Sequence, residues 1–518
     1  MTGKIYDVAI VGMGPVGAAA AILFAHAGLD VAVIEKTEEI YPLPRAVGMD
    51  GEVVRAFQTI GKGEELNNLL QQRRPGDRVG FANSKREWMF GQEWPDFGVN
   101  GWQAVSMFDQ PEIEQYFRDQ VATYSNVDTF LGHEVTSFDE TDSTITLTCT
   151  HTGAGESLAI NALYLVACDG AASAVRKTLE INWHDLGYDH DWLVIDVVVR
   201  DGHTLNQDTL QVCDPDRIVT HVVTKDPFRR WEFKLNPGET WEEMLDPEKI
   251  YALLDPWTPR HTYTLRRKAV YQFHAATADE WRRGRIFIAG DAAHQTPPFL
   301  GQGMNAGMRD VINLAWKLPM VIRGIASDTL LDTYQLERMP HAQDLVEWAV
   351  AVGKLMEHLA AVEAAERQGR EPPEILAQKK SAGYGQGREA PPIREGVIML
   401  EQVSDEGSTG YLFSQPIVKD ADGNEFRFDD RLGRGFSIIT RSPSQLDITP
   451  GNEAVLEKLN IVTTSIDNLE EVRGHFDRLF SHADAVIVRP DRYVFGHTTE
   501  ELDLNGLIES LISKLALM

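Results

Sequence analysis

The stretch from Lys4 to Glu35 constrains this chain more than any other. Lys4 to Val11 reads KIYDVAIV, a short strand with an apolar end. Gly12-Met13-Gly14-Pro15-Val16-Gly17 follows, then the run AAAAILFAHAG ending at Gly28, and a second apolar strand, Val31 to Ile34, closing on Glu35. Strand, GxGxxG, helix, strand and acid in this order specify a dinucleotide-binding fold. Gly12 permits the tight turn, Gly14 leaves room for a pyrophosphate, and Gly17 lets the helix sit close to the sheet. The free N–H groups and partial positive charge at the helix start suit phosphates. Glu35 stands where a carboxylate can accept from ribose hydroxyls, and it would repel a 2′-phosphate, which argues against NADP at this site. The fingerprint alone does not separate FAD from NAD.

Two later motifs bear on the cofactor. Leu163 to Ala167 is an apolar strand running into Cys168-Asp169-Gly170-Ala171-Ala172-Ser173-Ala174-Val175-Arg176. Read by itself this is a strand, an Asp-Gly turn and a helix. Arg285 to Ala289, RIFIA, leads into GDAAHQTPPFLGQGMN, residues 290–305. Met304, Met308, Val311, Ile312, Ala315 and Leu318 then recur at helical spacing. Asp291 at the strand end can bind ribityl hydroxyls. Pro297, Pro298, Gly301 and Gly303 make a rigid, close-fitting loop. Backbone N–H groups at Gly303, Met304 and Asn305 would face the pyrimidine side of an isoalloxazine, where reduced flavin gains negative charge that a helix N-terminus stabilises.

Together the three motifs resemble the single-component, FAD-dependent aromatic hydroxylases, the class A flavoprotein monooxygenases. The segment YPLPRAVGMDGE at 41–52 is similar to the family stretch whose arginine, here Arg45, touches FAD, and FDQPEIE at 108–114 to the helix start that places Gln110 near it. RRWEFKLNPGE at 229–239, DDRLGRGFSIITR and VRPDRYVFGH resemble the 3-(3-hydroxyphenyl)propionate hydroxylase branch. The resemblance implies that NADH or NADPH reduces FAD and that O2 forms a flavin hydroperoxide, whose distal oxygen attacks a phenolic ring, ortho to its hydroxyl. Asp169 then belongs to a motif that contacts both FAD and the nicotinamide nucleotide. No second GxGxxG stands out for NADH, and the family has none. A homodimer is implied as well. Two alternatives remain: a polyketide-tailoring flavin monooxygenase on a larger phenolic substrate, and a non-catalytic flavoprotein. A halogenase is disfavoured, because no Trp-x-Trp-x-Ile-Pro stretch occurs.

The expected fold class is α/β. A Rossmann-like FAD-binding domain occupies residues 1–183 plus 281–393 with its following helices. A mixed β-sheet substrate domain is inserted at 184–280, with candidate strands at 192–199, 210–214, 218–224, 229–235 and 265–275. Residues 394–518 read as a separate C-terminal domain, with strands in FSIITR, AVLEKLNIVTT and HADAVIVRP and a closing helix ELDLNGLIESLISKLALM, and the resemblance implies that it is thioredoxin-like. Residues 330–365 read as helix and 366–393, rich in Gly, Pro and polar residues, as a linker or surface loop. The 518 residues match about three domains at roughly 150 residues each.

Ionising the phenol activates the ring carbon, so a general base is expected. Where some relatives carry a histidine after the Pro-Arg-Ala run, this chain has Val47. Asp50 and Pro298 are the candidates at catalytic positions: Asp50 as a base, with a capping or turn role as its alternative, and Pro298 in the rigid loop. His221 and His274 lie on candidate strands, and His294 reads as scaffold of the flavin motif. Arg229, Arg230, Arg266, Arg267 and Lys268 could anchor an acidic tail, or form ordinary salt bridges. Trp231, Phe233, Tyr271 and Phe273 could line an aromatic pocket, or fill the sheet core.

Lys plus Arg is 49 and Asp plus Glu is 78, a net charge of −29, which argues against nucleic acid or an anionic membrane as partner. The three cysteines, Cys149, Cys168 and Cys213, form no CxxC and suit a reducing compartment; no metal motif is visible. The uncharged run Val8 to Ala25 is broken by Gly-Pro, and no leader pattern opens the chain, so a cytoplasmic protein is expected.

Overall fold

The computed structural model describes residues 3–373, 390–405, 407–480 and 483–517. Its first sheet has a parallel core in the order Ile286–Ile288, Ser157–Ala167, Ile5–Val11, Val31–Glu35, Val127–Leu131. Parallel strands covered on both faces read as continuous apolar runs, and Val8, Ala9, Ile10, Val31, Ala32, Val33, Leu165 and Val166 are all fully buried. The fingerprint helix Pro15–His26 is apolar all round and buried from Gly17 to Ala25, as expected of a helix enclosed by other elements. It packs on the helices Gly303–Ile322 and Gln110–Ala122.

A seven-stranded sheet forms the second layer. Its order is Tyr263–Phe273, His190–Val199, Phe228–Lys234, Val219–Val223, Thr209–Val212, Arg78–Ala82, Trp88–Glu93. The span 184–280 expected for this sheet therefore misses one edge. Arg78–Ala82 joins parallel to Thr209–Val212, and Trp88–Glu93 pairs with it in turn. Side chains alternate between faces along each strand. Leu193, Ile195, Leu210, Val212, Trp231 and Phe233 share one apolar cluster on the far face with Met244, Ile250 and Leu254 of the short helices behind it. Trp231 and Phe233 are thus sheet core, whereas Phe273 points the other way and lines a cavity.

Among the described residues the C-terminal unit has a four-stranded sheet in the order Val462–Ser465, Ser437–Thr440, Ala485–Val488, Val494–His497, the first pair parallel and the others antiparallel, and a smaller antiparallel sheet of Glu425–Arg427, Ile417–Lys419 and Glu470–Arg473. Helices Pro450–Lys458 and Leu504–Lys514 complete a thioredoxin-like ββ–helix pattern. The segment AVLEKLNIVTT, expected as strand, begins as the end of a helix and turns into strand only at Val462. Thr449 accepts from the Asn452 amide at the start of that helix and Pro450 holds the first turn, so only Val462–Ser465 is strand. Leu507 and Leu511 of the closing helix are core. The long helix Asp332–Arg367 takes in the first residues of the expected linker, and residues 374–389 of that linker lie outside the described residues.

Buried ion pairs fasten the C-terminal unit to the rest. Asp429 receives Arg55 Nη2 at 2.7 Å and Nε at 2.8 Å, and Arg492 Nε at 2.9 Å. Burial pushes the Asp429 carboxyl up, but the two guanidinium groups outweigh it and hold the pKa below the ordinary value. A second group joins Lys317, Glu337, Arg489 and Asp491, with Glu337 Oε2 2.8 Å from Lys317 and 2.7 Å from Arg489. Asp429→Ala would leave two buried guanidinium groups without their carboxylate. It is expected to cost about 3–5 kcal/mol, read as a lower denaturant midpoint, while Asp430→Ala on the exposed neighbour stays within about 0.5 kcal/mol.

Candidate active site

In open α/β sheets, ligands bind beyond the carboxyl ends of the strands. Here four strands end on one cavity: Val11 leads to Gly12, the next strand ends at Glu35, Ala167 leads to Asp169, and Ile288 leads to Asp291. The cavity holds about 790 Å³ and continues from these residues to the underside of the seven-stranded sheet.

The three fingerprint glycines differ in what they do. Gly12 has φ +97°, and a Cβ there would lie 2.3 Å from the Cys168 carbonyl oxygen. A Cβ on Gly17 would lie 2.0 Å from the Gly12 carbonyl oxygen. Both are required by the protein's own backbone. A Cβ on Gly14 would meet nothing within 4 Å, yet Gly14 lines the cavity at the helix start. Its missing side chain leaves space for a ligand, not for packing. Glu35 Oε2 accepts from the Met13 amide at 2.8 Å, and Oε1 from Thr37 N and Oγ1 at 2.9 and 2.7 Å. That bonding fixes the carboxylate at the cavity wall.

Asp169 Oδ2 accepts from the Ala174 and Val175 amides at 2.8 and 3.2 Å, while Oδ1 is buried with no protein partner. A buried acceptor left open in this way points to a donor that the protein itself does not provide. Asp291 opens on the cavity. The surrounding protein raises its pKa, opposed by His294 and Arg45. Behind it, Asp310 accepts from the Gly290 amide at 3.0 Å, from His294 Nε2 at 2.9 Å and from Arg338 Nε at 3.1 Å. His294 is therefore scaffold.

Arg45 lies in a loop gripped from two sides. Gln110 Oε1 accepts from the Arg45 and Ala46 amides at 2.8 and 2.7 Å, and its Nε2 donates to Glu114 at 2.5 Å. Gln110 lines the cavity, but its oxygen is used to hold this loop. From the sheet, Arg230 donates to the Arg45 and Pro44 carbonyls at 2.7 and 2.9 Å. Pro298, Gly301, Gly303 and Met304 line the cavity. Gly301 is left-handed, φ 62°, and the first amides of the helix Gly303–Ile322 have no acceptor within that helix. Asn305 is brought near, but its side chain is internal: Oδ1 accepts from Asp50 N at 3.0 Å, and Nδ2 donates to the Gly48 and Gly301 carbonyls at 3.2 and 3.0 Å.

Asp50 is not placed as a base, nor as a side-chain cap. It is buried outside the cavity lining, and its Oδ2 accepts from Arg309 at 2.9 Å and Gln302 at 2.8 Å. Arg309 also holds Glu52 at 2.6 Å. This group braces the flavin loop from behind. His221 lies on the far face of the sheet, stacked on Trp257, with Nδ1 2.9 Å from the Asp208 carbonyl. Burial lowers its pKa to about 4. His274 pairs with Asp189 at the surface. The five basic residues considered as anchors are also engaged: Arg229 with Asp226, Arg266 with Asp109, Arg230 and Arg267 with Asp196, and Lys268 with the Leu245 carbonyl. Of these five only Arg230 lines the cavity.

Residues not anticipated from sequence form the sheet side of the cavity. Thr209, Gln211, Thr220, Val222 and Glu232 alternate with core residues along three neighbouring strands, and Arg73 enters from the loop ahead of Arg78. The period-two pattern was available in the sequence, but only the pairing shows which face meets the cavity.

Fold and site thus define a flavin-type dinucleotide-binding oxidoreductase with a second sheet closing the cofactor cavity. A family model described as "FAD binding domain" matches residues 5–349, and one described as "HcaD C-terminal domain" matches residues 410–514. The probable NADH-specific resorcinol 4-hydroxylase of Rhodococcus jostii is 32% identical, covering 99% of this chain and 96% of that protein. The 3-(3-hydroxy-phenyl)propionate/3-hydroxycinnamic acid hydroxylase of Escherichia coli is 31% identical, covering 94% and 91%. Among solved structures, aklavinone-11 hydroxylase with FAD and aklavinone superposes with a TM-score of 0.81 at 22% identity, over 99% of this chain and 100% of that one. The flavin-dependent monooxygenase PieE with FAD and substrate gives 0.80 at 19%, over 99% and 100%, and both show the shared fold. The chain belongs to the FAD-dependent aromatic hydroxylases, and its cofactor is FAD.

The residues present fit that cofactor: the open space at Gly14, the open acceptor on Asp169 and the acids at Glu35 and Asp291 all face one cavity. Gly14→Val should fill ligand space alone. Its apo-protein is expected to melt within about 1 kcal/mol of the parent but to purify colourless. Asp291→Ala should likewise lose FAD affinity, read by flavin titration.

Proposed function

We propose that the protein uses NADH and O2 to hydroxylate a phenolic ring next to an existing hydroxyl. The observation that carries this reading is the continuity of the cavity, from the dinucleotide site to the polar face of a separate sheet. A flavoprotein without a substrate would not need that second, walled compartment. When bound, FAD supplies the redox chemistry: it takes a hydride from NADH and activates O2 for delivery of one oxygen atom.

The protein's own residues supply position and electrostatics. Gly14 and the start of the fingerprint helix receive the pyrophosphate, and Glu35 and Asp291 take hydroxyls. The amides at Gly303 and Met304 offer partial positive charge to the ring system, where reduction places negative charge. The loop Pro44–Arg45, pinned by Arg230 and Gln110, closes the wall between the cofactor and the sheet. Val79, Val222, Met107, Phe273 and Trp348 give an apolar lining that excludes water from a bound ring.

The names of the relatives supply two probes, resorcinol and 3-(3-hydroxyphenyl)propionate. The chain acts as a cytoplasmic homodimer, a reading that rests on the family and on three free cysteines. Among the described residues no helix is long and apolar enough to cross a membrane. The purified holoprotein should consume NADH faster with one of these phenols than without it. Labelled O2 should place one oxygen atom in the product, as read by mass spectrometry. NADH oxidation that yields peroxide and no oxygenated ring with any phenol tested overturns the reading. Light scattering should give the mass of two 57.9 kDa chains.

A further inference from the structure

Glu232 stands out among the groups lining the sheet side of the cavity. It lies on the strand Phe228–Lys234, whose other face carries Trp231 and Phe233 into the core, so alternation turns Glu232 toward the cavity. The residue is 4% exposed. Its contact with a charged group is Arg230 Nη1 at 3.9 Å, too long for a hydrogen bond. Among the described residues it makes no side-chain hydrogen bond. A buried carboxyl is ordinarily hydrogen-bonded. Thr220 lies opposite it in the register, and Thr220 Oγ1 donates to Gln211 Oε1 at 2.6 Å, not to Glu232. The carboxyl therefore has its acceptor capacity directed into the compartment where the ring must sit.

We propose that Glu232 contacts the substrate hydroxyl and accepts its proton. This assignment rests on the phenol-hydroxylase reading above. In the step the phenolic O–H bond breaks, the proton forms an O–H bond with a Glu232 carboxylate oxygen, and the electron pair stays on the phenolate, raising density at the neighbouring ring carbon. The proton leaves to solvent when product is released. No other co-reactant is needed.

Electrostatics suit this work. Burial raises the Glu232 pKa to about 7, with Arg230 on its own strand lowering it, Asp196 on His190–Val199 raising it and Arg267 on Tyr263–Phe273 lowering it. Arg73 faces the same cavity from the loop before Arg78. A base near neutrality is closer to a phenol, about 10, than an ordinary glutamate near 4.3 is. The base works deprotonated. Activity should therefore rise with pH through about 7 and level off above it.

The test compares wild type with Glu232→Gln and Glu232→Asp, using resorcinol as the probe. Glu232→Gln should keep FAD, bind resorcinol within about threefold, and lose product formation by about 100-fold or more, with NADH diverted to peroxide. The acidic limb near pH 7 should disappear, and Glu232→Asp should restore part of the rate. A second measurement is independent of turnover. The ultraviolet difference spectrum of resorcinol bound under anaerobic conditions should show phenolate character in wild type above pH 7 that is absent in Glu232→Gln. Unchanged product formation with the same limb, or an unchanged difference spectrum, overturns the role of Glu232. Failure of wild type to oxygenate any phenol instead overturns the function reading, and the bound-phenol spectrum then still decides for or against Glu232 as the proton acceptor.

Discussion

Asp196 holds the two arginines that join the halves of the cavity. It is buried between the guanidinium groups of Arg230 and Arg267, at 2.7 and 3.3 Å. Those same arginines reach across to the Pro44 and Arg45 carbonyls. A buried carboxylate is costly to desolvate, and its partners recover that cost only with good geometry and further bonds. Here the further bonds are to the loop beside the cofactor. A shift of the sheet against the dinucleotide domain would cost both guanidinium groups these carbonyl acceptors. The same carboxylate sits close enough to Glu232 to favour its protonated form, so one buried acid both locks the wall and tunes the group that faces into the compartment.

The dinucleotide half was legible because its rules are local. Gly12, Asp169 and Asp291 lie within three residues of a strand end, Glu35 closes its strand and Gly17 sits in the helix that follows, and the backbone clashes at Gly12 and Gly17 are of the kind such turns impose. The C-terminal unit was legible in outline. Its AVLEKLN stretch misled because valine and leucine suit either state, whereas Thr-Pro ahead of them was a start signal for a helix.

The substrate half was far less legible, for physical reasons. Strand Arg78–Ala82 joins its sheet through a parallel pairing with Thr209–Val212, and nothing in a local window announces such a contact. The reading of RRWEFKL drew attention to Trp231 and Phe233, since aromatics are the usual pocket formers. Pairing sends them to the core and brings the alternating Arg230 and Glu232 to the cavity. Asp50 lies three residues past Val47, where some relatives carry a histidine, but Arg309, distant in sequence, holds it behind the loop.

The composite sheet also bears on how specificity can be exchanged within this architecture. Five of its seven strands come from the middle of the chain and two from residues 78–93, which are threaded through the dinucleotide half. Val79, Gln92 and Trp94 on this early segment line the same compartment as Gln211 and Glu232. A transplant of residues 184–280 into a relative would therefore carry an incomplete wall, with a foreign edge strand paired to Thr209–Val212. Substrate preference in this protein is not a portable module. It is shared between two stretches of sequence that have to change together.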